Sequence, residues 1–132
     1  MSNVEVRRVG QHSFVASNGR GAEVRIGRKD QDGFFSPVEL LLAAAAGCAA
    51  VTAETLITRR VDGPLTARAD DVRVADEHEL TTVPVSLDYD LSALDEAQRA
   101  ELETVVRRAV DQLCTVTRTV KKSATTPLTL PS

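Results

Sequence analysis

Aromatic side chains are scarce: the chain of 132 residues contains no tryptophan, one tyrosine and three phenylalanines. It also lacks any basic block, and its net charge is −3. Nucleic-acid surfaces need clustered cations and, for single strands, aromatic faces on which bases stack, so nucleic acid is excluded as a partner. Two histidines (His12 and His78) and two cysteines (Cys48 and Cys114) are present, and their spacing is not that of a zinc site. No metal site is expected. The N-terminus, MSNVEVRRVG, is polar and strand-like, without the apolar core of a secretory signal. The expectation is a soluble cytoplasmic protein, in a compartment that keeps thiols reduced.

What is present is an ordinary globular balance of apolar and charged residues, of a length that suits one domain spanning residues 1–132. The chain is organised around residues 36–60, SPVELLLAAAAGCAAVTAETLITRR. Ser36 is a good N-cap, Pro37 suits the first helical position, and Glu39 completes a capping box. From Leu40 to Val51 every residue is apolar or glycine. Such a helix is hydrophobic on all sides, and the run is too short for a membrane span, so it reads as a buried core helix. Asp62-Gly63-Pro64 stops it.

Before this helix, strands are expected over 4–9 and 12–17, with Gly10-Gln11 as the turn between them. Asn18-Gly19 then signals a hairpin, and the return strand alternates, with Ala22, Val24 and Ile26 on one face and Glu23 and Arg25 on the other. A polar loop over 27–35 leads into the helix. After it, a strand over 65–74 should turn Val72 and Val74 inward, and Asp76-Glu77 make a turn. Val83, Val85, Leu87, Tyr89 and Leu91 alternate with Pro84, Ser86, Asp88 and Asp90, a strand with one wet side that Pro84 places near an edge. Asp95 and Gln98 box the start of a second helix, whose apolar positions Leu102, Val105, Val106, Ala109, Val110 and Leu113 fall on one stripe. A last strand is expected over 124–130. The fold class is therefore α+β, a mainly antiparallel sheet packed on a buried central helix. One small sheet and one amphipathic helix cannot cover a helix apolar all round, so a second copy of the chain is expected to complete the core.

Cys48 lies mid-helix in an apolar setting, where an isolated thiol is commonly inert packing. Thr52 and Thr55 share its face, however, at about 100° per residue. Cys114 follows the second helix and stands where a short helix over 115–122 could begin, a position that lowers a thiol's pKa. The two could act as a pair if their Cα atoms approach within roughly 7 Å. Glu39 is about 180° round the helix from Cys48 and so cannot easily serve that thiol.

SPVELLLAAAAGC followed by a distant LCTVTRTV resembles the OsmC/Ohr family, the osmotically inducible and organic hydroperoxide resistance proteins. The likeness extends over nearly the whole chain. It implies an OsmC/Ohr-like fold in an intertwined homodimer, with two sites at the interface. It also implies reduction of organic hydroperoxides by cysteine, without metal, haem or flavin, and re-reduction by a dithiol such as a lipoyl protein or a low-molecular-weight thiol. By that resemblance Cys48 is the peroxidatic cysteine and Cys114 the resolving one. The family's arginine, in the first hairpin loop, matches Arg20 by position, with Arg25 and Arg28 as weaker candidates; the alternative for Arg20 is a solvated turn residue. The chain departs from the peroxidase pattern at Val38, where active peroxidases carry the glutamate that orients the arginine. Two other readings stand beside this one. The first is a non-catalytic dimer that binds a small apolar ligand at its interface. In the second both cysteines are packed and silent.

Overall fold

The computed structural model describes residues 3–73 and 78–131. The chain divides into two compact units, the first ending at Ala43 and the second beginning at Ala44. The first holds an antiparallel sheet of β1 (Glu5–Gly10), β2 (Ser13–Ser17) and β3 (Glu23–Ile26), in that order. Its register sets Val6 opposite Ala16 and Ala16 opposite Val24, so small and β-branched residues share one face. Val24 and Ile26 are half-buried while Glu23 and Arg25 face water, as the alternation predicts, although Ala22 lies just outside β3 and is exposed.

Both turns of this sheet differ from expectation. The first falls one residue later, on Gln11 and His12, with His12 at a φ of 56° and a register shift between Arg8 and Gly10. The second is not a two-residue Asn-Gly turn but a loop over 18–22. The Asn18 carboxamide oxygen accepts from the Arg20 and Ala22 N–H groups, at 2.8 and 3.3 Å, and Gly19 and Gly21 take the positive φ values. An Asx bond competes with the tight turn and wins here. The loop after β3 is also ordered. The Gly27 N–H donates to Phe35 O at 2.9 Å and the Phe35 N–H to Arg25 O at 3.0 Å, so the chain folds back along β3 before the helix.

Helix α1 (Pro37–Thr58) begins in the first unit and continues into the second. Its capping box forms as the sequence predicts. The Ser36 N–H donates to Glu39 Oε1 at 2.8 Å, and the Glu39 N–H to Ser36 Oγ at 3.1 Å. The helix has 22 residues, and by length and composition alone it could cross a membrane. It outruns the apolar segment that made it look too short, because residues 52–58 extend it with Glu54 as their one charge. The Arg60 guanidinium closes its end by donating to Leu56 O at 2.9 Å.

In the second unit β4 (Thr66–Ala69) and β5 (Val85–Asp88) pair antiparallel, with Ala67 opposite Leu87. The β4 strand is shorter than expected, and Val72 is exposed, making only an isolated bridge to Thr82. Val74 and the Asp76-Glu77 turn lie outside the described residues. Helix α2 (Glu96–Leu113) starts at the Asp95–Gln98 capping box and is followed directly by α3 (Thr115–Lys122). The core of this unit is Ala53, Ile57 and Val61 against Leu102 and Val106, edged by Leu65, Leu87, Tyr89 and Leu91. The stripe on α2 is thus real, except that Leu113 at its end is 69% exposed. The closing strand does not form. Residues 124–130 have no strand beside them among the described residues, Pro127 offers no N–H, and Leu128 and Leu130 are exposed. The element order is βββ–α–ββ–α–α, an α+β protein with antiparallel sheets.

Candidate active site

Both cysteines are free thiols and both belong to the second unit. Cys48 sits on α1, half-buried, among the buried Ala45, Ala46 and Ala49. Cys114 occupies the single residue between α2 and α3, and it is wholly buried. Its backbone serves both helices: the N–H donates to Val110 O at 3.1 Å, and the C=O accepts from the Arg118 N–H at 3.0 Å. With extended φ and ψ between two helices, the residue is fixed by main-chain bonds before its sulfur makes any contact.

The sulfur then meets a hydroxyl. As a neutral thiol Cys114 donates to Thr117 Oγ1 at 3.1 Å instead of capping α3. Cys48 and Thr52, one turn apart on α1, act on the ionisation of the same sulfur. Burial would push the Cys114 thiol up. Hydrogen bonds to the thiolate from the Thr117 hydroxyl, the Cys48 thiol, the Thr117 backbone N–H and the Thr52 hydroxyl outweigh that and hold it below the ordinary thiol range. Both cysteines thus lie in the second unit, and the Cys48 thiol acts on the ionisation of Cys114.

Thr52 was legible in the sequence as a polar residue on the Cys48 face, while Thr55 on the same face is exposed. Thr117 was missed. The available signal was its place three residues past a helix N-cap, where side chain and backbone N–H both turn back to the cap.

The arginine candidates belong to the first unit. Arg20 lies at the tip of the 18–22 loop between two positive-φ glycines, exposed, and its guanidinium has no ion pair or hydrogen bond among the described residues. Arg25 is otherwise engaged, its guanidinium 5.3 Å from the Phe34 ring centroid. Arg28 is exposed and its N–H donates to Gln31 Oε1. Among the described residues no three His, Cys, Asp or Glu side chains converge as a metal site requires.

With this geometry in hand, comparison with known proteins is decisive for the family. Residues 29–129, which include both cysteines, match the family model described as OsmC-like protein. The chain belongs to the OsmC-like family. An uncharacterized protein of Mycobacterium tuberculosis strain H37Rv is 32% identical over 130 residues, covering 97% of this chain and 95% of the relative. The fold is similar to that of an OsmC like protein from Mycoplasma pneumoniae, with a TM-score of 0.72 at 15% identity over 93% of this chain and 89% of the other. It is similar also to a Psychrobacter arcticus 273-4 protein named for an osmotic stress induced and detoxification response. That match has a TM-score of 0.64 at 19% identity, over 90% of this chain and 88% of the other. At such identities these two structures speak for the fold alone.

Proposed function

We propose that this OsmC-like protein is a thiol-dependent peroxidase that reduces organic hydroperoxides through Cys48 and Cys114. It would act as a cytoplasmic homodimer and be re-reduced by a dithiol, either a lipoyl protein or a low-molecular-weight thiol. The observation that carries this reading is that two free thiols, Cys48 half-buried and Cys114 buried, act on one another, with Thr117 Oγ1 at 3.1 Å from the Cys114 sulfur. Two packed and silent cysteines would have no need of threonine hydroxyls aimed at the sulfur.

The chemistry needs only these groups. The Cys48 thiolate attacks the distal oxygen of the hydroperoxide, the O–O bond breaks, and an alcohol and a Cys48 sulfenic acid result. The Cys114 thiolate then displaces the sulfenic hydroxyl and forms a Cys48–Cys114 disulfide, which the dithiol reduces by exchange. Cys48 takes the first role because it is the accessible one, and Cys114 the second because it is buried. Arg20 is the candidate for the cation that steadies the Cys48 thiolate, since its guanidinium is unpaired among the described residues.

Mass spectrometry of the protein treated with cumene hydroperoxide tests the pairing. The expected product is an intramolecular disulfide, seen as the loss of two hydrogens. Cys48→Ser should abolish hydroperoxide consumption. Cys114→Ser should let Cys48 progress past sulfenic acid to the irreversible acids. A parent protein whose mass is unchanged in excess hydroperoxide would defeat the reading and favour a binding or structural role.

A further inference from the structure

The shoulder where α3 follows α2 carries an open groove of about 500 Å³, a volume within the range of small-molecule sites. Thr115, Arg118, Thr119 and Lys122 recur along α3 at the spacing that sets them on one helix face, and all four line the groove. Leu113, 69% exposed at the end of α2, and Ala124, just past α3, give it an apolar side. Ser123 ends α3 with a φ of 55°, and this left-handed turn brings Ala124 to the groove. The two cations are not spent on acids. Arg118 donates through Nη1 to Gln112 O at 2.6 Å, which fixes the guanidinium and leaves its other N–H groups available. Lys122 has no ion pair among the described residues, whereas its neighbour Lys121 pairs with Asp111 at 3.4 Å. Among the described residues no Asp or Glu lines the groove, although acids outnumber bases in the chain by 19 to 16. The ends of α2 and α3 attract cations through their dipoles, which accounts for the two charges. It does not account for the two unbonded threonine hydroxyls and the exposed leucine set beside them.

We propose that this groove binds a small amphipathic anion, a carboxylate with a short alkyl body. Arg118 is the principal anchor, because a planar donor fork already held on Gln112 O gives up less freedom on binding than a lysine does. Lys122, one turn further on, adds a second positive charge, and the Thr115 and Thr119 hydroxyls can donate to the remaining lone pairs of the carboxylate. Leu113 and Ala124 take the alkyl body, so affinity grows with each methylene removed from water until the apolar side is filled. The site stands apart from the thiol chemistry, and its ligand binds whether or not the cysteines turn over.

Isothermal titration calorimetry of the full chain with butyrate, hexanoate and octanoate tests this, with hexanol as the uncharged control. Affinity should rise along the series, and hexanol should bind at least about tenfold more weakly than hexanoate. Arg118→Gln should weaken hexanoate about tenfold and Lys122→Gln about threefold, as a held fork and a mobile point charge differ. Leu113→Asn should flatten the dependence on chain length. Lys121→Gln, which removes a cation already paired outside the groove, should leave hexanoate binding as in the parent. Amide NMR shifts on adding hexanoate to the parent should concentrate within residues 112–124. Absence of saturable hexanoate binding overturns the proposal, and that is the result expected where a second copy of the chain covers the groove. Shifts that lie elsewhere overturn it too, as does an Arg118→Gln protein that binds like the parent. Arg118→Gln also gives up the bond to Gln112 O; should it not fold, as judged by circular dichroism, Lys122→Gln and Leu113→Asn decide in its place.

Discussion

Valine occupies position 38, on the first turn of α1, and the carboxylate next to it is already engaged. Glu39 Oε1 accepts from the Ser36 N–H at 2.8 Å in the capping box, which leaves that oxygen unable to turn toward an arginine without uncapping the helix. An arginine helps a thiolate only if its guanidinium is held in place, and a free side chain retains about 2 kcal/mol of rotamer entropy. Two charge-assisted bonds from a carboxylate would hold it. Arg20 has no such partner among the described residues. The hypothesis that follows, on the peroxidase reading, is modest activity, with the Cys48 thiolate less well stabilised than a held arginine would make it. Val38→Glu should then raise the rate with organic hydroperoxides, and the gain should vanish in the Val38→Glu, Arg20→Ala double variant. A folded Val38→Glu protein with no gain would place the arginine's partner elsewhere. The pH profile belongs at this scale too. Because the Cys114 thiol is held below its ordinary value, disulfide formation should persist at pH values where an unperturbed thiol is protonated, and should fade only as pH falls through the lowered value. Thr117→Val should move that loss to higher pH, as followed by quenched mass spectrometry.

At the scale of elements, the site depends on the packing that seats α2 against the second half of α1, because α2 ends where Cys114 begins. Leu102 is fully buried at the centre of that contact, among Ala53, Ile57 and Val106. Leu102→Ala should therefore lower unfolding stability by about 2–5 kcal/mol in urea titration, with the cavity making up much of the cost. Asp95→Ala should cost about 1 kcal/mol through the lost cap. A far smaller effect at Leu102 would mean that this core is not the one the molecule relies on. These elements were legible beforehand because their signals are local: a capping box at Ser36, another at Asp95, a helical stripe from Leu102 to Val110, and a cap position at Cys114 with α3 over the residues expected. What could not be read depended on partners distant in sequence. Residues 124–130 alternate like a strand, yet alternation states only which face would be wet and supplies no neighbouring edge to pair with. The loop at 18–22 failed for a related reason, since the choice between a two-residue turn and an Asx-closed loop lies with a side-chain bond. The influence of Cys48 on Cys114 likewise needed tertiary packing; spacing alone left it open.

For the whole molecule, the surface that one chain leaves apolar is the feature that asks for explanation. Val51, in the middle of the helix that carries Cys48, is 77% exposed, and Leu113, Leu128 and Leu130 are exposed to 69%, 82% and 70%. A soluble monomer scatters single apolar residues over its surface, but a core helix mostly uncovered, together with an unpaired leucine-bearing C-terminal segment, is more apolar surface than that, which a partner would cover. A second copy of the chain suits it better than a lipid surface. The helix bears Glu39 and Glu54, and charges within a membrane-spanning helix carry a cost. An interface that shares one core between two chains is expected to exceed the standard size for protein complexes. Sedimentation equilibrium should accordingly give twice the 14.2 kDa chain mass at micromolar concentration. Val51→Lys would bury an unpaired ammonium in that interface and should shift the protein toward monomer, with little cost to the fold of the single chain, where this side chain already meets solvent. A well-folded monomer in the parent, or a Val51→Lys protein as dimeric as the parent, would remove α1 from the interface. Flotation of the parent with phospholipid vesicles would then make the apolar length of α1 a membrane signal after all.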